Sequence, residues 1–169
     1  MPRAEFLPLG CAVVTVSDTR DERTDRSGAL VRARLEQAGH RIERRRIVRD
    51  ELTELRALFA ELRDDDGVDV VVSTGGTGIT RRDVTPEALA PLVTKSIPGF
   101  GELFRHLSFA EIGTATIQSR ALAAVCGRTL FFLLPGSTGA CRLAMDEIVL
   151  PQLDARSAPC NFAELLERL

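Results

Sequence analysis

Short apolar runs rich in β-branched residues alternate along this chain with segments whose apolar residues recur at helical spacing. That alternation predicts a mostly parallel sheet with helices on both faces. The first run, Cys11-Ala-Val-Val-Thr-Val-Ser17, lies between Gly10 and Asp18 and reads as a buried strand. Ser27 predicts a cap for a helix that runs through Gln37 and stops at Gly39. His40 to Arg49 alternates enough for a second strand. Asp50 then offers a cap for a helix reaching about Arg63, with Leu52, Leu55, Leu58, Phe59 and Leu62 at helical spacing. Val68 to Thr74 follows as a third strand. Its unbroken Val70-Val71-Val72 is how a strand covered on both faces reads.

The pattern continues in the second half. Thr85-Pro86-Glu87 starts a helix with Thr as cap and Pro at the first helical position. Gly99 to Leu107 is helical, with Phe100, Leu103, Phe104 and Leu107 to one side. Ala121 to Cys126 and Thr129 to Leu134 read as two strands around Gly127-Arg128, a hairpin. Ser137 caps a last long helix to about Leu150, which Pro151 ends, and Asn161 to Leu169 forms a short helix. The connections are short, and no repeat or linker interrupts them. The expected architecture is a three-layer α/β/α sandwich with a mostly parallel central sheet, one domain over residues 1–169. In such sheets ligands bind beyond the carboxyl ends of the strands. Three predicted strand ends carry small polar residues: Ser17-Asp18, Ser73-Thr74-Gly75-Gly76 and Pro135-Gly136-Ser137.

Composition narrows the chemistry. A formal net charge of −2 supplies no basic field for a nucleic-acid backbone. The longest apolar stretch, Thr129 to Pro135, falls far short of the roughly 20 residues of a membrane span. Met1 to Leu9 lacks the pattern of a secretory leader, so a cytoplasmic protein is expected. Cys11, Cys126, Cys141 and Cys160 are too scattered for a zinc site and read as reduced thiols. With no Trp or Tyr and only His40 and His106, acid–base work falls on carboxylates or on a metal ion they hold.

The turn Gly75-Gly76-Thr77-Gly78 has two readings. Its glycines permit left-handed backbone and close approach of a ligand, and successive N–H groups there form an anion-binding concavity, to which Thr77 adds a hydroxyl. The same turn also serves as a tight strand-to-helix connection needed for packing. Neither GxxxxGK[ST] nor GxGxxG is present. Gly136-Ser137 repeats the order of strand, glycine and capped helix, so two anion sites on one rim suit separated phosphates. Asp50 and Asp83 each follow a strand or its loop, and two carboxylates beside phosphates suit Mg2+. For Asp50 a plain helix cap is the competing reading. Arg44, Arg45, Arg46 and Arg49 read as a solvated strand near a sheet edge, whereas Arg81 and Arg82 lie inside the glycine loop, nearer a phosphate.

The stretch Ser73-Thr-Gly-Gly-Thr-Gly-Ile-Thr-Arg-Arg-Asp-Val-Thr-Pro-Glu-Ala88 resembles the ligand-binding loop of the MogA/MoaB family of molybdenum-cofactor biosynthesis proteins. Thr15-Val-Ser-Asp18, Pro98-Gly-Phe-Gly-Glu102 and Leu134-Pro-Gly-Ser137 agree with it. Leu107-Ser-Phe-Ala-Glu-Ile-Gly-Thr114 and Pro151-Gln-Leu-Asp-Ala-Arg-Ser-Ala-Pro-Cys-Asn-Phe162 resemble the MoaB branch, so the likeness spans about Cys11 to Phe162. The resemblance implies an α/β/α sandwich that binds molybdopterin and adenylylates its terminal phosphate with ATP and Mg2+, releasing pyrophosphate. A non-catalytic molybdopterin carrier or assembly scaffold is the alternative it leaves open. It also implies a homotrimer or homohexamer, and a separate molybdate-insertion protein as the next partner. Carried over by position, Asp50 and Asp83 match the acidic pair assigned to Mg2+–ATP. Gly75, Gly76, Thr77 and Gly78 match the pterin-phosphate loop. Ser17 and Ser108 match further ligand-binding positions, and Gly136 and Ser137 join the expected substrate-binding set from the second glycine turn. Leu133 departs from the pattern, because active eukaryotic relatives place Asn there.

Overall fold

The computed structural model describes residues 5–169, so the reading of Met1–Leu9 falls partly outside the described residues. Six strands form one sheet: β1 (Gly10–Val16), β2 (Arg41–Val48), β3 (Val70–Thr74), β4 (Lys95–Ile97), β5 (Leu122–Cys126) and β6 (Thr129–Leu134). Their order across the sheet is β2-β1-β3-β6-β5-β4. Strands β2, β1, β3 and β6 run parallel, and β5 alone is reversed, antiparallel to both β6 and β4. The expected hairpin is therefore β5–β6, turning at Gly127 with φ 61°.

Alternate residues of each strand feed two separate cores. On one side Cys11, Val13, Val70, Val72, Leu130, Phe132 and Leu134 pack against helices α1 (Arg26–Ala38), α4 (Pro98–Ile112) and α5 (Thr138–Ala144). On the other, Ala12, Val14, Val16, Val71, Phe131 and Leu133 meet α2 (Leu52–Arg63) and α3 (Thr85–Leu89). This burial on both faces is why Val70-Val71-Val72 lacks any polar alternation. Phe59 meets Phe131 edge-on with ring centroids 5.6 Å apart, worth about 0.5–1.5 kcal/mol beyond the area buried.

Three predicted caps are placed elsewhere. Asp25, not Ser27, caps α1 by accepting the Gly28 N–H, while the Ser27 hydroxyl donates to the Gly136 carbonyl. Glu51 occupies the cap position of α2 without a side-chain bond, so Asp50 is not its cap. Val84 precedes α3, and Thr85 instead donates its hydroxyl to the Gly75 carbonyl at 2.9 Å. The Ser27 and Thr85 hydroxyls thus bond loop carbonyls rather than helix N–H groups. Gly39 ends α1 in the left-handed region with φ 97°, and Ser137 caps α5 through the Ala140 N–H, both as expected.

Pro151 does not end the last long helix. A wide π-type turn, Met145–Val149, absorbs the register change, and the helix resumes as α6 (Leu150–Leu153). Proline has no N–H to donate, and the wider turn precedes it directly. The terminal helix α7 (Phe162–Leu166) is capped by Asn161. Arg44, Arg45 and Arg46 lie on β2, an edge strand, as read. Arg45 has a specific role there: it pairs with the buried Asp25 at 2.8 Å, which also accepts from Thr15 at 2.6 Å. This knot fixes β2, the end of β1 and the start of α1 to one another. His40 is a packing residue against Phe6, its Nδ1 accepting from the Leu9 N–H, and His106 is exposed.

Candidate functional site

The chain leaves β1 for β2 on one side and returns to β3 on the other side of β1. The carboxyl ends of β1 and β3 therefore diverge into a crevice at a topological switch point, where open α/β sheets bind ligands. A cleft of about 480 Å3 opens there, lined by Ser17, Asp50, Gly75 to Gly78, Arg82, Asp83, Ser119 and Gly136. A polar hollow of about 320 Å3 adjoins it, sharing Ser17 and Gly136 and adding Ser27, Ser137 and Thr138. The structure thus brings together Ser17, Asp50, the whole glycine turn, Asp83, Gly136 and Ser137. It does not bring Ser108 to them: that serine is buried on α4 and lines neither space.

Two glycines of the turn are obligatory. Gly75 has φ 102°, and a side chain there would drive into the Val16 carbonyl. Gly76 has φ 65°, and its missing Cβ would strike the Thr85 hydroxyl and lie 2.9 Å from Asp50 Oδ1. Beyond them, a Cβ on Gly78 would sit 2.8 Å from Asp83 Oδ2. Asp50 and Asp83 thus flank the turn at Gly76 and Gly78. The N–H groups of Gly76 and Thr77 have no partner among the described residues, and Thr77 is buried. Unpaired backbone donors in such a place call for an external acceptor.

The carboxylates sit in different fields. Burial, then the charge of Asp18, push the Asp50 carboxyl above the usual range, with Asp83 adding to the effect and Arg82 opposing it. Burial pushes Asp83 the same way, but the Thr80 hydroxyl and N–H, the Gly78 N–H and the charge of Arg120 outweigh it and hold it below that range. Arg82 is not poised toward open cleft: it forks onto Asp18 at 2.8 Å and reaches Glu51 at 3.1 Å. Asp18 also accepts the Asp50 N–H at 3.2 Å. Asp18 therefore belongs to the site, and the sequence alone marked it only as part of a strand-end motif. No group of three or more carboxylate, thiol or imidazole side chains suited to a metal ion occurs among the described residues. The pair Asp50 and Asp83 fits a cation that takes one or two carboxylates and completes its shell with phosphate oxygens, as Mg2+ does.

Leu133 is fully buried in the core against α2 and α3, and its partner across the sheet, Ser73, carries a buried hydroxyl with no hydrogen bond. Leu133 lines neither the cleft nor the hollow beside it.

A doubly covered sheet with a glycine turn and two carboxylates at its switch point defines an α/β protein whose crevice lies where such sheets bind ligands. Residues 12–155 match the family described as "Probable molybdopterin binding domain", and the chain belongs to that molybdenum-cofactor-biosynthesis family. It is 49% identical to Molybdenum cofactor biosynthesis protein B of Escherichia coli (strain K12) over 164 residues, covering 97% of this chain and 96% of that one. A crystal structure of a molybdenum cofactor biosynthesis protein B superposes with a TM-score of 0.88 at 43% identity, covering 96% of this chain and 98% of the other. That of the tungsten cofactor synthesizing protein MoaB from Pyrococcus furiosus gives 0.75 at 41% identity, covering 84% and 91%.

Proposed function

We propose that this protein acts in molybdenum cofactor biosynthesis by binding molybdopterin and adenylylating its terminal phosphate with Mg-ATP. The observation that carries this reading is the placement of Asp50 against Gly76 and Asp83 against Gly78, around unpartnered N–H groups at the switch point. The turn is read as holding the acceptor phosphate, with the two carboxylates placed to hold Mg2+, which when bound neutralises charge on the ATP phosphates. A phosphate oxygen of molybdopterin attacks the α-phosphorus of ATP, the bond to the bridging oxygen breaks, and pyrophosphate leaves. The nucleophile is already anionic near neutral pH, so no general base is needed, in keeping with a cleft that contains no histidine. Catalysis then rests on positioning and charge compensation.

The test is incubation with ATP, Mg2+ and molybdopterin, following adenylylated product and pyrophosphate. Absence of product, or undiminished product from Asp83→Asn, would overturn the assignment. The second reading is a non-catalytic molybdopterin carrier or scaffold, which the MoaB-like segment Pro151 to Phe162 leaves open. It requires pterin binding that is indifferent to ATP and Mg2+. The family likeness further supports a homotrimer or homohexamer and delivery to a molybdate-insertion protein.

A further inference from the structure

Arg120 stands just before β5, outside every motif that marks the cleft, yet it grips the glycine loop along its whole length. Its backbone N–H donates to the Thr77 carbonyl at 3.0 Å. Its Nε donates to the Gly78 carbonyl at 2.7 Å, and Nη2 to the Asp83 carbonyl at 2.9 Å. The remaining fork closes on the Glu87 carboxylate, in the first turn of α3. One side chain thus spans both ends of the segment Gly78 to Asp83 and ties it to the helix that follows. Its side chain is about one-third exposed and does not line the cleft.

The geometry has a direct effect on the donors. In a planar peptide the N–H points opposite to the C=O. The backbone N–H of Arg120 holds the Thr77 carbonyl and so turns the Gly78 N–H toward the Asp83 carboxylate, whereas the side chain holds the Gly78 and Asp83 carbonyls. Arg120 also holds the Asp83 carbonyl, while the Asp83 side chain is fixed from the front by the Thr80 N–H at 2.8 Å and hydroxyl at 2.6 Å. Asp83 is thereby pinned on both its backbone and its carboxylate. A lysine offers one point of attachment where this site uses a planar fork on separate acceptors.

We propose that Arg120 is a positioning residue: its side chain fixes the segment Gly78 to Asp83, and with it the Asp83 carboxylate, in the orientation that receives a metal-bound phosphate chain. The proposal rests on the adenylyl-transfer reading of the cleft but is separable from it. The experiment compares wild type with Arg120→Gln and Arg120→Lys. Three quantities are read: kcat and KM for ATP, binding of Mg-pyrophosphate by calorimetry, and amide hydrogen exchange of residues 78–83. Arg120→Gln is expected to lower kcat about a hundredfold with little change in KM, as misplacement of a reacting group does. Loop exchange should quicken about tenfold while β3 and β6 amides keep their protection. Arg120→Lys should recover only part of each effect. Unchanged loop exchange in Arg120→Gln, or full recovery by Arg120→Lys, overturns the proposal. If wild type fails to turn over, the adenylylation reading falls by itself. Loop exchange and pyrophosphate binding then still decide the role of Arg120.

Discussion

The carboxylate of Asp50 rests against Gly76, whose absent side chain leaves the space that Asp50 Oδ1 and the Thr85 hydroxyl fill. Gly76→Ala therefore harms more than ligand approach. At φ 65° the new methyl both strains the backbone and displaces Thr85 from the Gly75 carbonyl. We expect a stability loss of about 1–3 kcal/mol together with weakened binding. Thermal melts beside pyrophosphate calorimetry check it. An unaltered melting temperature would show that the turn relaxes freely.

Ser73 offers the opposite sign. Its hydroxyl is buried without a partner beside Leu133. Ser73→Ala removes an unsatisfied polar group and should raise stability by about 1 kcal/mol. Denaturant titration decides this, and a clear loss of stability would mean the hydroxyl has a partner in solution.

Asp50 should couple stability and function in opposite directions. Its carboxyl is raised by burial and by Asp18, so the folded state holds that proton more tightly than the unfolded chain does. Its contribution to stability is complete below the unfolded value and is lost as pH rises through the folded one. Asp50→Asn should therefore melt higher than wild type at neutral pH without metal, yet turn over poorly. The melting gain should vanish in acid. A pH-independent loss of stability would refute this.

Asp83 and Glu87 behave conversely. Burial raises the Asp83 carboxyl, but its hydrogen bonds prevail, and the Arg120 fork lowers that of Glu87. Stability from both is fully present above the usual carboxylate range and is lost as pH falls through their lowered values. Melting curves in acid should show a shallower decline for the double change Asp83→Asn with Glu87→Gln than for wild type. Parallel declines would argue against these pairings.

Assembly is open to a direct test. Phe109, Ile112 and Ile117 are 57, 55 and 79% exposed along α4 and the turn after it. Large apolar side chains grouped in this way mark an interaction surface. Light scattering should give a multiple of 18.4 kDa, falling to that value in Ile117→Glu. A wild-type mass of 18.4 kDa would remove the oligomer.

The strands and the glycine turn were legible because their signals are local: β-branched runs, Gly39 after a helix, Ser137 before one. Strand β4 was missed because its three residues, Lys95, Ser96 and Ile97, carry no apolar pattern and only pair at the sheet edge. The caps at Ser27, Asp50 and Thr85 were misread for one reason: each residue suits a helix start and equally suits the loop that tertiary packing brings near. Asp83 and Asp50 were legible as a pair from their places after strand ends, and the family motif pointed to the same two residues. Arg120 gave no local sign, since its side-chain partners lie 33 to 42 positions away. Arg82 lay in the right loop, but its engagement with Asp18 depends on how β1 ends.

Three carboxylates, Asp18, Asp50 and Asp83, gather at a turn whose free groups are donors, with Arg82 already committed to one of them. Such a cleft repels a bare polyphosphate and offers a lone divalent ion too few ligands to dehydrate it. Calorimetry is therefore expected to show tighter binding of a charge-matched metal–polyphosphate chelate than of either component alone.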